Sequence, residues 1–283
     1  MLFSSEQSTF KGNSCFVARS VSDIVNILRV APAYPFWARG EAKEFDLPCL
    51  PTICRNDHHY TDSTPANGFG SLTNGEVNVI EACKDDYLSG KLQDELFARF
   101  LGTGNIDYKT NDLLYWAALA QHHNHDQIYP TRLLDVTSDI LVATYFACNK
   151  YNDSDGYVFY GDFSKNDLAI GGRVKTDGSF FDIVEIEDPN FPIDGWKPSE
   201  RTLTLAPLPF PNRRMTVQRG ALVWARNPSG GYFNQIRQLI IKIPAECKKE
   251  MLFLLKVMGY SEDTLFPKEL PEISSIYRTQ FKS

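Results

Sequence analysis

A chain of 283 residues with 43% apolar and 23% charged residues can bury a real core, as one large domain or two ordinary ones. Its formal net charge of −6 argues against a diffuse electrostatic grip on nucleic acid, which needs Lys and Arg to displace counterions. The N-terminus lacks the charged head and apolar run of a secretory signal, and no apolar stretch reaches the roughly 20 residues that cross a bilayer, so a cytoplasmic protein is expected.

Residues 18–30 carry apolar side chains at helical spacing, with Ser22 or Asp23 as the cap. Two prolines then lead into Trp37-Ala38-Arg39-Gly40, which reads as a short strand ending in an exposed turn. After a Pro-punctuated connector, the polar stretch 56–75, with His58 and His59, reads as a loop able to lie over a cleft. Residues 78–101 read as helical, with Phe97 and Phe100 inward. The helix LLYWAALAQHH follows, capped by Asn111 or Asp112 and carrying Gln121 toward the core.

The densest polar stretch comes next. Gln121 to Asp135 gathers amide, imidazole, guanidinium and carboxylate groups in fifteen residues, directly before a helix that is apolar nearly all round and capped by Ser138. Polar groups this close to a buried segment need partners among themselves, on the backbone or in a ligand. Beyond Cys148 the pattern turns to strands: GYVFYGDF, FDIVEI, RTLTLAPL, TVQRGALVWA and QLIIKIP. A last helix, AECKKEMLFLLKVM, is closed by Gly259. There is no internal repeat and no linker, so 1–283 reads as one α+β domain, N-terminal helices followed by a mixed or antiparallel sheet. The six cysteines form no CxxC pair and read as thiols, mostly buried, in a reducing compartment.

Several runs together resemble the FRG domain family: Trp37-Ala38-Arg39-Gly40, Ala120-Gln121-His122-His123, Pro130-Thr131-Arg132-Leu133-Leu134-Asp135 and Ala143-Thr144-Tyr145-Phe146-Ala147. The likeness continues into Arg214-Met215, Gln218, Gly220 and Leu265-Phe266-Pro267, from about residue 35 to about 275. The chain departs from the family pattern at Ala38, at Val136 and in the longer link from Asn124 to Tyr129. The resemblance implies a fold and a setting in bacterial toxins or phage defence rather than a reaction.

The chemistry must come from the side chains. Arginines beside hydroxyl and amide groups suit a phosphate or pyrophosphate, because guanidinium offers planar paired donors. The order of these elements is also similar to the layout of ADP-ribosyltransferases, although the late strand holds Gln218 where those enzymes have Glu. That comparison makes NAD the expected substrate. Arg39, Gly40, Gln121, Thr131, Tyr145 and Arg214 would bind it, and His122, Arg132, Asp135 and Gln218 would be catalytic. The acceptor, protein or nucleic acid, and any antitoxin or defence partner are left open. Such a site requires Arg39, His122 and Arg132 to converge on one anion. Arg132 with Asp135 as a buried ion pair is the structural alternative. A nucleotide-sensing module without turnover and a metal-dependent nuclease using the histidines are the competing functions; no metal is favoured, since HHNH does not set three ligands on one face.

Overall fold

The computed structural model describes residues 6–11, 13–30, 37–46, 48–54, 74–89, 91, 113–122, 129–161, 174–175, 185–186, 203–205, 213–225 and 238–267. The predicted loop with His58 and His59, the inward Phe97 and Phe100, the caps Asn111 and Asp112, and His123 and His125 all lie outside these residues. In chain order the strands are β1 (Gln7–Phe10), β2 (Asn13–Val17), β3 (Trp37–Glu41), β4 (Leu133–Thr137), β5 (Gly156–Gly161), β6 (Val174–Lys175), β7 (Glu185–Ile186), β8 (Leu203–Leu205), β9 (Gly220–Ala225) and β10 (Gln238–Ile243). The helices are α1 (Val21–Val30), α2 (Asn74–Leu88), α3 (Leu113–His122), α4 (Ile140–Cys148), α5 (Arg213–Val217), α6 (Lys248–Val257) and α7 (Glu262–Leu265).

The fold is α+β, one mixed sheet with helices packed on it. Eight strands run in the order β1-β2-β10-β5-β3-β4-β9-β8, and β6 pairs with β7 apart from them. Every neighbouring pair of the large sheet is antiparallel except β2 with β10. Strands therefore precede the first helix, which the sequence pattern did not announce. The β1–β2 hairpin turns at Lys11, whose φ of 47° is left-handed.

Four local expectations are corrected. The cap of α1 is Ser20, not Ser22 or Asp23: Ser20 Oγ accepts from Asp23 N at 3.2 Å while the Asp23 carboxylate accepts from Ser20 N at 2.9 Å. The cap of α4 is Asp139, whose carboxylate accepts from Leu141 N at 2.9 Å, and not Ser138. The run TVQRGALVWA is not one strand: α5 ends at Val217, Gln218 and Arg219 turn, and β9 starts at Gly220. Arg39 does not end a strand either, because β3 runs on to Glu41 between β5 and β4.

Alternation along β3 decides what faces what. Ala38 and Gly40 face α4, in a core shared with α1 and α6 that includes Ile24, Ile27, Val142, Ala143, Ile241 and Met251. A Cβ on Gly40 would stand 1.9 Å from the carbonyl oxygen of Ala143, and one on Gly156 would stand 2.2 Å from that of Ala147. The buried helix α4 thus lies directly on β3 and β5, which requires glycine at both contact points. Arg39 and Glu41 take the opposite face. Their register partners on β5, Phe159 and Tyr157, join Phe10, Cys15, Cys49 and Ile240 in a second buried cluster there.

Lys248, at the start of α6, is fully buried. Its ammonium donates to the carbonyls of Ala42, Lys150 and Tyr151, the last two at 3.0 Å, and burial lowers its pKa. Cys15 and Cys148 are free thiols inside the core. Among the described residues no helix is long and apolar enough to cross a membrane.

Candidate functional site

The residues singled out in the sequence meet where α3, β3 and β4 come together. Pro130 directs the chain into β4, whose burial is complete except at Asp135. An exposed carboxylate in a strand otherwise enclosed on both faces marks a place where the fold opens. The chain here is extended from Leu133 to Thr137.

A hydrogen-bonded relay fixes Asp135. Thr131 Oγ1 donates to Gln121 Oε1 at 2.6 Å, and Gln121 Nε2 donates to Asp135 Oδ2 at 2.6 Å. Thr131 is itself pinned: its carbonyl accepts from Ile53 N and from Thr52 Oγ1, each at 3.2 Å, and Thr52 Oγ1 accepts from Thr131 N at 3.0 Å. Gln121 at the end of α3 thereby aims the carboxylate of the neighbouring strand.

Arg39 reaches the same strand from β3. The single register pair between the two strands, Ala38 with Thr137, brings Arg39 Nη1 to the carbonyl oxygen of Asp135 at 2.8 Å. Its Nε donates to Glu41 Oε1 at 3.2 Å. Burial opposes the charge of Arg39, yet Glu41, Cys49 and Asp135 around it outweigh that effect and hold its pKa above the ordinary guanidinium range. The cation is permanent.

Arg214 on α5 borders the cluster, with Nη1 3.4 Å from the carbonyl of His122 and its guanidinium 4.8 Å from the centre of the Phe266 ring. Gln218 turns away from Asp135, its Nε2 donating to the Leu265 carbonyl at 2.8 Å while its own carbonyl accepts from Thr137 Oγ1 at 2.7 Å. The Tyr145 ring, 7% exposed, sits in the core against Phe146, and burial raises its pKa. Gly40 is occupied by the close approach of α4 described above.

Arg132 has a different partner. Its Nε and Nη2 donate to the two carboxylate oxygens of Glu76 on α2, and both side chains are under 5% exposed. The expected pairing with Asp135 is thus replaced by one with a residue 56 positions earlier. Tyr129 adds a second tie to α2 by donating to Asp86 Oδ2 at 2.5 Å. Of the three groups meant to converge, Arg39 and the end of α3 at His122 adjoin the Asp135 relay, whereas Arg132 is committed to the scaffold. Among the described residues no three His, Cys, Asp or Glu side chains gather as a metal would need.

The residue that sequence reasoning missed is Glu41. Its signal was the spacing of Arg39-Gly40-Glu41, since residues two apart in a strand share a face.

No curated protein and no solved structure matches the chain. A family match does exist, ending at 156 and so short of the Arg214–Gly220 and Leu265–Pro267 runs that the sequence resemblance included. Residues 35–156 match the family model of the FRG domain.

Proposed function

We propose that the Arg39–Asp135 cluster binds a nucleotide-type anion and that the protein is an ADP-ribosyltransferase-like enzyme using NAD. One observation carries the reading: neighbouring strands set a permanent cation against the backbone of Asp135 while Gln121 holds the exposed Asp135 carboxylate in place. Arg39 would take the pyrophosphate, with Arg214 and His122 at the margin. In the transfer, the bond between C1′ of the nicotinamide ribose and the ring nitrogen breaks, and nicotinamide leaves with the bonding pair. The acceptor's nucleophile bonds to C1′, and its proton passes to Asp135. Asp135 thereby does the work of the late-strand Glu that the sequence lacks. A protein or nucleic-acid acceptor in the cytoplasm, in a toxin or antiviral defence role, completes the proposal.

The test is release of nicotinamide from NAD, followed by chromatography in the presence of cell extract as acceptor. Asp135→Asn retains an oxygen for Gln121 and should abolish release with the melting temperature unchanged. Equal release by the wild type and Asp135→Asn would refute the assignment. Melting shifts with NAD but no release would favour a sensing module instead.

A further inference from the structure

Glu41 is 5% exposed, and its Oε2 meets no hydrogen-bond donor among the described residues. The nearby donors both go to Oε1: Arg39 Nε at 3.2 Å and the backbone N of Cys49 at 2.9 Å. Cys49 holds a left-handed φ of 55° to present that N–H. A carboxylate oxygen left bare in an interior is unfavourable, and native proteins retain one where a ligand or water brings the donor.

Arg39 is incomplete in the complementary sense. Nε and Nη1 are engaged, and Nη2 makes no hydrogen bond among the described residues. Its side chain keeps 14% of its surface exposed. One salt bridge therefore has a free donor at one end and a free acceptor at the other. A guanidinium only donates and an ionised carboxylate only accepts. A ligand completing both must offer an acceptor to the one and a donor to the other. Phosphate oxygens beside a sugar hydroxyl have that form, and the phosphate also suits the planar guanidinium.

We propose that Glu41 is a ligand-binding carboxylate of the site, with Oε2 accepting a hydrogen bond from a ribose hydroxyl of the nucleotide whose phosphate lies on Arg39. The assignment rests on the nucleotide reading above and adds the acidic group that selects a hydroxylated sugar.

Calorimetric titration with ADP-ribose tests it on the wild type and on Glu41→Gln. The variant keeps an oxygen for Arg39 and Cys49 and replaces Oε2 by an amino group that cannot accept. Binding should weaken by about tenfold or more, as when a buried polar partner is lost, with little change in melting temperature. An ADP-ribose analogue lacking the contacted hydroxyl should lose a similar factor on the wild type and nothing further on Glu41→Gln. If Glu41→Gln does not fold, Glu41→Asp, which withdraws the oxygen by one methylene, takes its place in the same cycle. Equal affinity of wild type and variant, or losses from variant and analogue that simply add, would overturn the role of Glu41 alone. A wild type that binds no ADP-ribose at millimolar concentration would overturn the nucleotide reading, and this assignment with it.

Discussion

Arg132→Ala should destabilise the protein heavily while leaving the folded fraction competent to bind. Arg132 and Glu76 meet in a two-point pairing with both side chains under 5% exposed. An exposed ion pair contributes about 0–1 kcal/mol, because water screens it. Removing one partner of a buried pair costs about 3–5 kcal/mol, since the other charge is left without compensation. For a chain of this size that corresponds to a fall of roughly 6–20 °C in melting temperature. The reciprocal variant, Glu76→Gln, should fall by a similar amount. The double replacement Arg132→Met with Glu76→Leu should recover much of the loss, because two charges are then exchanged for apolar packing. Urea titrations of the four proteins check this, with ligand binding measured well below each midpoint. A loss under about 1 kcal/mol for Arg132→Ala would show that the pair is solvated in solution and that Arg132 is available to a ligand after all.

Two further outcomes concern the core. Gly40→Ala places a methyl against the Ala143 carbonyl at 1.9 Å; the methyl is fixed directly on the backbone and the oxygen belongs to main chain, so neither can swing aside. A loss of about 3 kcal/mol or more is expected in thermal melts, and a near-neutral substitution would show that α4 does not lie directly on β3. Burial pushes the Cys148 thiol from its ordinary 9.0 up to about 12. The folded form therefore holds its proton longer than the unfolded chain does, so this contribution is fully present below pH 9.0 and is lost as pH rises toward 12. The alkaline limb of the stability curve should lose up to about 1.4 kcal/mol per pH unit of its slope in Cys148→Ala. An unchanged slope would show that the thiol titrates normally. Tyr157 acts in the same direction, its pKa raised chiefly by burial.

Local periodicity made part of this fold visible. The apolar helix α4 and strands β5 and β10 read directly, because nearest-neighbour pattern and tertiary role agree in them. The PTRLLD run was harder. Five residues of β4 are buried on both faces except at Asp135, so the run shows no alternation to mark it as a strand. Hairpin β1–β2 was missed because its strands are short and rich in Ser, Thr and Asn. In the site, Gln121, Thr131, Asp135 and Arg39 were found as neighbours because three of them share one compact stretch. The partner of Arg132 could not be found that way: Glu76 stands in a helix with no strong apolar stripe, 56 residues away. Nothing in the sequence pattern sets Glu41 apart from an ordinary charged strand residue; its bare oxygen does.

The order of strands has a practical consequence for anyone dissecting the protein. Cutting out 35–156 would keep β3 and β4 but strip away β9 and β10 and leave one residue of β5. It would also remove Lys248, stranding three main-chain oxygens that its ammonium now serves. Such a fragment would present two raw sheet margins and should aggregate rather than fold. The stretch by which the family is recognised is thus a signature and not an autonomous module, and the C-terminal part of the chain is as much its foundation as its neighbour.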